Sequence, residues 1–250
     1  MDLRWDILAG YWPLFIEGLW TTIELTLVSI VVGLALGAVL GLISSSRDAP
    51  RPRSTVLGMV MQGLRGLTTA YVTFFRGTPL FVQILLVHFA AMPALIHPDH
   101  GWLLAGEAAR DFRQNHGAFF SGALALSLNA GAYISEIFRA GIQSIHLGQT
   151  QAASSLGLTH AQAMQHVILP QAFRRMVPAL VNEGVTLIKD SSLVSAIGLA
   201  ELALAARTVA GAYSRYWEPY LAISAMYLIL TLVLSTLAKR LEAPAHLRGR

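Results

Sequence analysis

An all-α membrane protein of about five transmembrane helices is the fold class predicted by three features of the sequence. Of its 250 residues 54% are hydrophobic and only 13% charged, against roughly 25% charged in a typical soluble domain. Three runs, 25–46, 117–135 and 219–238, contain no Asp, Glu, Lys or Arg, and each is close to the about 20 apolar residues that a bilayer core requires. Two further stretches have spanning length but carry charge: 66–92 includes Arg76 and Pro79, and 176–204 includes Glu183, Lys189, Asp190 and Glu201. Allowing for helix ends, the spans fall at about 19–46, 66–95, 117–138, 174–204 and 217–240, in one transmembrane domain. The absence of cysteine excludes disulfides and thiolate metal sites.

The N-terminus carries Asp2 and Asp6 against Arg4, the wrong balance for the basic start of a cleaved signal peptide, so the first span is expected to be retained. An odd number of spans puts the termini on opposite sides, and Lys and Arg concentrate on cytoplasmic loops. With the C-terminus inside, eleven basic residues face the cytoplasm, five face outward and two, Arg76 and Lys189, lie at membrane depth. The prediction is therefore an outside N-terminus and a cytoplasmic C-terminus. The same flanking pattern explains the net charge of +4 without nucleic acid.

The second span is predicted to kink or restart beside Arg76, because Pro79 removes a backbone donor and clashes with the preceding turn. In the third span Asn129, Tyr133 and Glu136 are spaced i, i+4 and i+7, on one helix face. The fourth repeats this design. Glu183 and Asp190 share a face, as do Asn182 and Lys189 with Thr186 between them, while the adjacent Lys189 and Asp190 point about 100° apart and cannot simply neutralise each other. Ionisable groups at this depth cost roughly 2.5–3.5 kcal/mol and usually face a cavity or a partner. The polar residues Arg76, Asn129, Tyr133, Glu183, Thr186, Lys189, Asp190, Ser191 and Ser192 are thus candidates for lining a substrate path, with pairing across helices as the structural alternative. Glu24 and Glu201 read as interfacial and structural. The eight histidines show no His-x-x-x-His spacing, so no metal site is expected.

Between Arg139 and Arg174 lies a polar stretch, the cytoplasmic loop 140–173, without one Asp, Glu, Lys or Arg. Residues 149–156 read as a short Ala-rich helix ended by Gly157 in the left-handed conformation. Thr159 and Gln162 form a capping box for a second helix, whose apolar stripe is Ala163, Met164, Val167 and Ile168, and Pro170 is expected to stop it. Ala152 and Ala153 are placed at the tip of the resulting knob. A solvated loop normally carries charge, so composition allows either a surface hairpin or an element covered by another protein.

The run QTQAASSLG at 149–157 with VILPQA at 167–172 resembles the EAA loop of bacterial ABC importer permeases. Further motifs occur in the same order as in the polar amino acid branch of that family: FRGTPL at 75–80, EIFRAGIQS at 136–144 and KDSSL at 189–193. The resemblance covers about 19–241. It implies a type I ABC importer permease fold in the bacterial inner membrane. It also implies that Gln151, Ala152, Ala153, Leu156, Gly157, Leu169 and Pro170 couple the permease to ATP-hydrolysing subunits. The family usually opens this loop with Glu; Gln151 cannot form an ion pair there but still donates and accepts hydrogen bonds.

This chain has no Gly-x-x-x-x-Gly-Lys-Ser/Thr phosphate loop, so it is not expected to be an enzyme or to bind a cofactor itself, and ATP would be bound by a partner. Five spans are too few to enclose a path, which calls for a second permease, identical or homologous, about a twofold axis. The resemblance adds two ATPase subunits and an extracytoplasmic amino-acid-binding protein. The cargo it implies is a polar amino acid, with glutamate or aspartate first because Lys189 and Arg76 offer charge for an extra carboxylate, and a basic or neutral amino acid as the alternative. A proton-coupled carrier using Glu183 or Asp190 is the competing class; it leaves the charge-free loop without a reason.

Overall fold

The computed structural model of the protein describes residues 3–45 and 55–246. It is helical throughout, with no strand among the described residues beyond an isolated bridge between Ile96 and Leu104. The helices are α1 (Asp6–Ala9), α2 (Trp12–Ser45), α3 (Thr55–Gly77), α4 (Leu80–Leu86), α5 (Met92–Leu95), α6 (Gly106–Asn115), α7 (Gly117–Gln143), α8 (Leu147–Ser155), α9 (His160–Ala163), α10 (Leu169–Asp190), α11 (Leu202–Tyr213) and α12 (Trp217–His246). The basic turn expected between the first two spans, position 46, and the terminal Arg248 and Arg250 lie outside the described residues.

Three helices, α2, α7 and Trp217–Ala238 of α12, are long and apolar enough to cross a membrane. The number rises to five when two bent pairs are each taken as one span. In the first, Val56–Gly77 and Leu80–Leu95 meet at 109°, far sharper than the kink expected at 66–95. Pro79 is extended (ψ 132). The 2% exposed side chain of Gln83 donates to the Thr78 carbonyl (3.1 Å) and hydroxyl (2.9 Å), fixing the turn from its far side. A π-helical turn, Val87–Ala91, then joins α4 to α5.

The second bent pair, His160–Ile197 and Leu202–Tyr213, extends beyond both ends of the expected 174–204 span. Pro170 does not end a helix: α9 runs through a π-turn, Met164–Ile168, directly into α10, where Pro170 is the second residue. Proline lacks only a donor that a first turn can spare, and the widened π-turn absorbs the change in ladder. Beyond Asp190 the chain tightens to a 3₁₀ helix, Ser191–Ile197, ended by left-handed Gly198 (φ 85), and the 51° bend before α11 falls inside the expected span.

The chain forms two compact units. The first comprises Met1–Val31, Thr78–Ser127 and Gly184–Thr236. Its core packs Ile7, Leu8 and Phe15 against Leu202, Ala205, Ala206, Val209 and Ile223, while Met92, Ile96 and Ala109 form a smaller cluster under α6. Glu201 is fully buried rather than interfacial. It caps α11 by accepting from Ala203 N and Leu204 N, both at 2.9 Å, and it takes the Tyr227 hydroxyl at 2.7 Å.

The second unit comprises Val32–Gly77, Leu128–Glu183 and Leu237–Arg250. Here α2 approaches α7 through Gly37 and Gly41, where an added Cβ would lie 2.5 Å from Ile134 Cγ2 and 2.4 Å from Phe138 Cβ. Such small residues four apart let helices pack backbone to backbone where no solvent drives them together. The Tyr71 hydroxyl donates to the Leu128 carbonyl and Asn129 Nδ2 to that of Phe75 at 3.2 Å, tying α3 to α7. Ile142, Ile145, Ile168, Ala172 and Met176 form this unit's buried cluster.

Candidate functional site

The second unit contains a cleft of ≈ 510 Å³ whose lining includes Arg76, Tyr133, Glu136, Arg175, Met176 and Glu183. The end of α3 delivers Arg76, because the Asn129 amide holds the Phe75 carbonyl one residue earlier. Its guanidinium lies 3.6 Å from Glu136 and 5.4 Å from the centre of the Tyr133 ring. Tyr133 and Glu136 are three apart on α7 and so share a face. Glu136 also accepts from Arg139 Nη2 at 2.7 Å, and Arg139 Nη1 donates to Gln143 at 2.6 Å. On α10, Arg175 donates to the carbonyl and hydroxyl of Ser144, and Glu183 is half-buried.

The cleft therefore sets guanidinium groups and carboxylates against apolar Ile137, Met176 and Ala179. The Arg76–Glu136 approach of 3.6 Å is longer than the 2.7 Å bond Glu136 accepts from Arg139, so Glu136 is held chiefly by Arg139. A carboxylate suits the guanidinium groups and an ammonium suits the carboxylates.

Of the predicted path residues the structure gathers Arg76, Tyr133 and Glu183 at this cleft, with Glu136 beside them. Asn129 belongs to the same unit but serves backbone anchoring. Thr186, Lys189, Asp190, Ser191 and Ser192 belong to the other unit. There Lys189 and Thr186 are exposed and Asp190 half-buried. The Ser191 hydroxyl is buried and donates to Ile188 O at 2.7 Å, and that of Ser192 donates to Lys189 O at 2.6 Å. Arg175 is the charged lining residue that sequence reasoning misses, its one signal being a basic pair at a span end; the small and apolar lining residues, with Ser144, carry no signal at all. His97, Asp99 and His100 in the 96–105 loop are the one group among the described residues whose ligand atoms, within 4.8 Å of one another, could hold a metal ion.

The charge-free loop folds as α8, a turn and α9. His146 caps α8 by accepting from Gly148 N at 3.0 Å. At the other end Leu158 N donates to Ala153 O (3.1 Å) and Gly157 N to Ser154 O (3.0 Å), with Gly157 at φ 82. These bonds define a Schellman motif. The capping box of Thr159 and Gln162 is present. Gln151, Ala152 and Pro170 are exposed, Leu156 is 81% exposed and Leu169 half-buried. Ala153 is not at the tip: it is 3% exposed and faces inward. Gln171 Nε2 donates to Gln149 at 3.1 Å, bracing α8 on α10.

Apolar helices long enough to cross a membrane, two bent helix pairs, a charge-lined cleft and a charge-free helical hairpin are the features of a multi-pass membrane protein. Residues 54–244 match the family of binding-protein-dependent transport system inner membrane components, and the chain belongs to that family. It is the permease subunit of an ABC importer, a class in which partner subunits hydrolyse ATP and a binding protein supplies cargo. It is 35% identical over 242 residues to the arginine transport system permease protein ArtQ of Bacillus subtilis, with 97% of each chain covered. It is 34% identical to the glutamate/aspartate import permease protein GltK of Escherichia coli O6:H1, covering 96% of this chain and 97% of that one. A crystal structure of an amino acid ABC transporter with histidines superimposes at a TM-score of 0.77 and 35% identity, over 98% of this chain and all of the other. The inward-facing MetNI methionine transporter shares the fold, at a TM-score of 0.71 and 19% identity over 94% and 98% of the two chains.

Proposed function

We propose that this permease subunit carries a polar amino acid across the bacterial cytoplasmic membrane, with its N-terminus outside and its C-terminus in the cytoplasm. The observation carrying this reading is the cleft in which Arg76, Arg175, Glu136 and Glu183 surround apolar side chains. A zwitterion needs both charges matched, and a broken membrane helix beside the site is a common device for such binding. Glutamate or aspartate is the first candidate. Arg139 binds Glu136 at 2.7 Å and offsets its charge, which leaves Arg76 and Arg175 of the lining for the cargo's carboxylates. Relatives named for arginine, glutamine and glutamate/aspartate make the basic and neutral amino acids the alternatives.

In this reading a second permease, identical or homologous, completes the path, and two ATPase subunits dock on α8 and the Gly157 turn. An extracytoplasmic binding protein delivers the amino acid. The charge-free surface around exposed Leu147 and Leu156 supports such docking, because a protein partner buries it without stranding charges.

The test is ATP hydrolysis by the permease assembled with its ATPase and binding protein in lipid nanodiscs, across a panel of acidic, basic and neutral amino acids. Stimulation by one class identifies the cargo. Failure of the chain to retain an ATPase, with proton-coupled flux of an amino acid, would replace the importer reading by an independent carrier.

A further inference from the structure

The first unit holds a second cleft, of ≈ 340 Å³, whose lining includes His88, Met92, Pro98, Arg110, Arg113 and Gln114. No aspartate or glutamate lines it. Arg110 and Arg113 are three apart on α6 and thus neighbours on one face, and among the described residues neither guanidinium has an ion-pair partner. Of the acids on the same helix, Asp111 is engaged by Asn115 at 2.7 Å. The opposite wall is fixed by hydrogen bonding. The Ser121 hydroxyl donates to Gly117 O at 2.7 Å, so its oxygen accepts from His88 Nδ1 at 3.0 Å. The small cluster of Met92, Ile96 and fully buried Ala109 holds α6 against this wall.

The place of the cleft along the chain sets its depth. The membrane-spanning α7 starts at Gly117, and the apolar helical leg Leu80–Leu95 ends just before Pro98, so the cleft sits where two membrane helices end. The same loop exposes Trp102 (89%) and Leu103 (74%), tied by backbone hydrogen bonds to Ala94 and Leu95. Tryptophan at a span end is characteristic of the headgroup layer. The abundant anion there is the lipid phosphodiester, and guanidinium groups suit a phosphate through charge-assisted hydrogen bonds.

We propose that this cleft binds the phosphodiester of an anionic phospholipid whose headgroup lacks an ammonium, with Arg110 and Arg113 as the charge partners and Gln114 as a neutral donor. An amino acid fits less well, since the lining offers no carboxylate for its ammonium group. A soluble phosphate shares the headgroup chemistry but makes no use of the apolar Trp102 and Leu103 beside it. This site is independent of the transport cleft and of the importer reading.

The experiment is a native mass-spectrometric titration of the full chain in neutral detergent with phosphatidylglycerol or phosphatidylcholine. The wild type is expected to retain phosphatidylglycerol and not phosphatidylcholine. In the R110Q/R113Q variant retention should fall at least tenfold, as expected when charge-assisted hydrogen bonds to the phosphate are lost, while R110K/R113K should keep most of it. If the double glutamine variant does not fold, Gln114→Glu against R110K/R113K decides the matter, because a carboxylate added beside intact basic residues should repel the phosphate. Equal retention of the two lipids, or of phosphatidylglycerol by wild type and R110Q/R113Q, overturns the proposal. Displacement of the lipid by millimolar inorganic phosphate or by an amino acid also overturns it, by making the cleft a site for soluble anions or for cargo.

Discussion

The close approach of α2 to α7 makes the sign of a glycine-to-alanine change depend on position. At Gly37 an added Cβ would sit 2.5 Å from Ile134 Cγ2, 2.6 Å from Ile134 Cβ and 3.0 Å from Gly131 O. Carbon atoms rest at about 3.5–4.0 Å, so the helices must separate by about 1 Å. The Cβ of Ile134 moves only with the backbone, and no rotamer relieves the clash. A gap of that size forfeits a quarter to a half of the dispersion energy along the contact, and overpacking of this kind costs about 1–3 kcal/mol. Alanine's helix preference returns at most about 1 kcal/mol. Gly37→Ala is therefore expected to destabilise by about 1–2 kcal/mol, lowering the thermal transition of the purified permease by about 2–8 °C. Gly41→Ala, with contacts at 2.4 and 2.9 Å, should cost at least as much. Gly141→Ala meets Met176 Cγ and Sδ at close range, and Met176 is 2% exposed within its packed cluster, so this variant should be destabilising as well. Gly63 and Gly66 on α3 meet nothing within 4 Å, and their alanine variants should be neutral or more stable. Transition temperatures read by size-exclusion fluorescence check this order, and a Gly37→Ala variant as stable as Gly66→Ala would refute the packing argument.

The remaining predictions concern the cap, the cleft and the loop. Glu201→Ala removes the cap of α11 and an acceptor of Tyr227, and should cost about 2–3 kcal/mol; Glu201→Gln, which keeps an acceptor oxygen, should cost less in the same thermal assay. Glu183→Gln should lower amino acid uptake at least tenfold in proteoliposomes without changing assembly, as expected when one charged partner of a bound zwitterion is lost; loss of assembly would mark the residue as structural. Gly157→Val places a β-branched residue at φ 82, a strain of about 1–3 kcal/mol. With α8 as the docking helix it should lower uptake per ATP hydrolysed, and unchanged coupling would count against docking there.

The sequence makes local features legible and leaves their placement open. The left-handed Gly157 and the Thr159–Gln162 box are settled by residues within a few positions of one another, so both can be read directly. Pro170 misleads because its effect depends on what precedes it: the π-turn at Met164–Ile168 carries the helix past it. The bend at Thr78 is signalled by Pro79, but the hydrogen bonds by which Gln83 reaches back to Thr78 are not. Gly37 and Gly41 are visible as a small-residue pair, yet only the fold shows that Ile134 and Phe138 fill the space beside them.

The polar positions carry the same lesson further. Helical spacing correctly puts Tyr133 and Glu136 on one face, and it puts Glu183 and Asp190 on one face as well. Facing the same way does not mean sharing an environment. Seven residues along a helix is about 10 Å, enough for Glu183 to join the unit of the charge-lined cleft and Asp190 the other. The charge at each position thus has a separate role to test. Loss of Glu183 should act on cargo binding through the cleft it lines. Asp190→Ala acts on a half-buried carboxylate beside exposed Lys189. If Asp190→Ala reduces transport while the assembled complex stays intact, its role lies in the path completed by the second permease; if assembly fails, the carboxylate holds that permease in place.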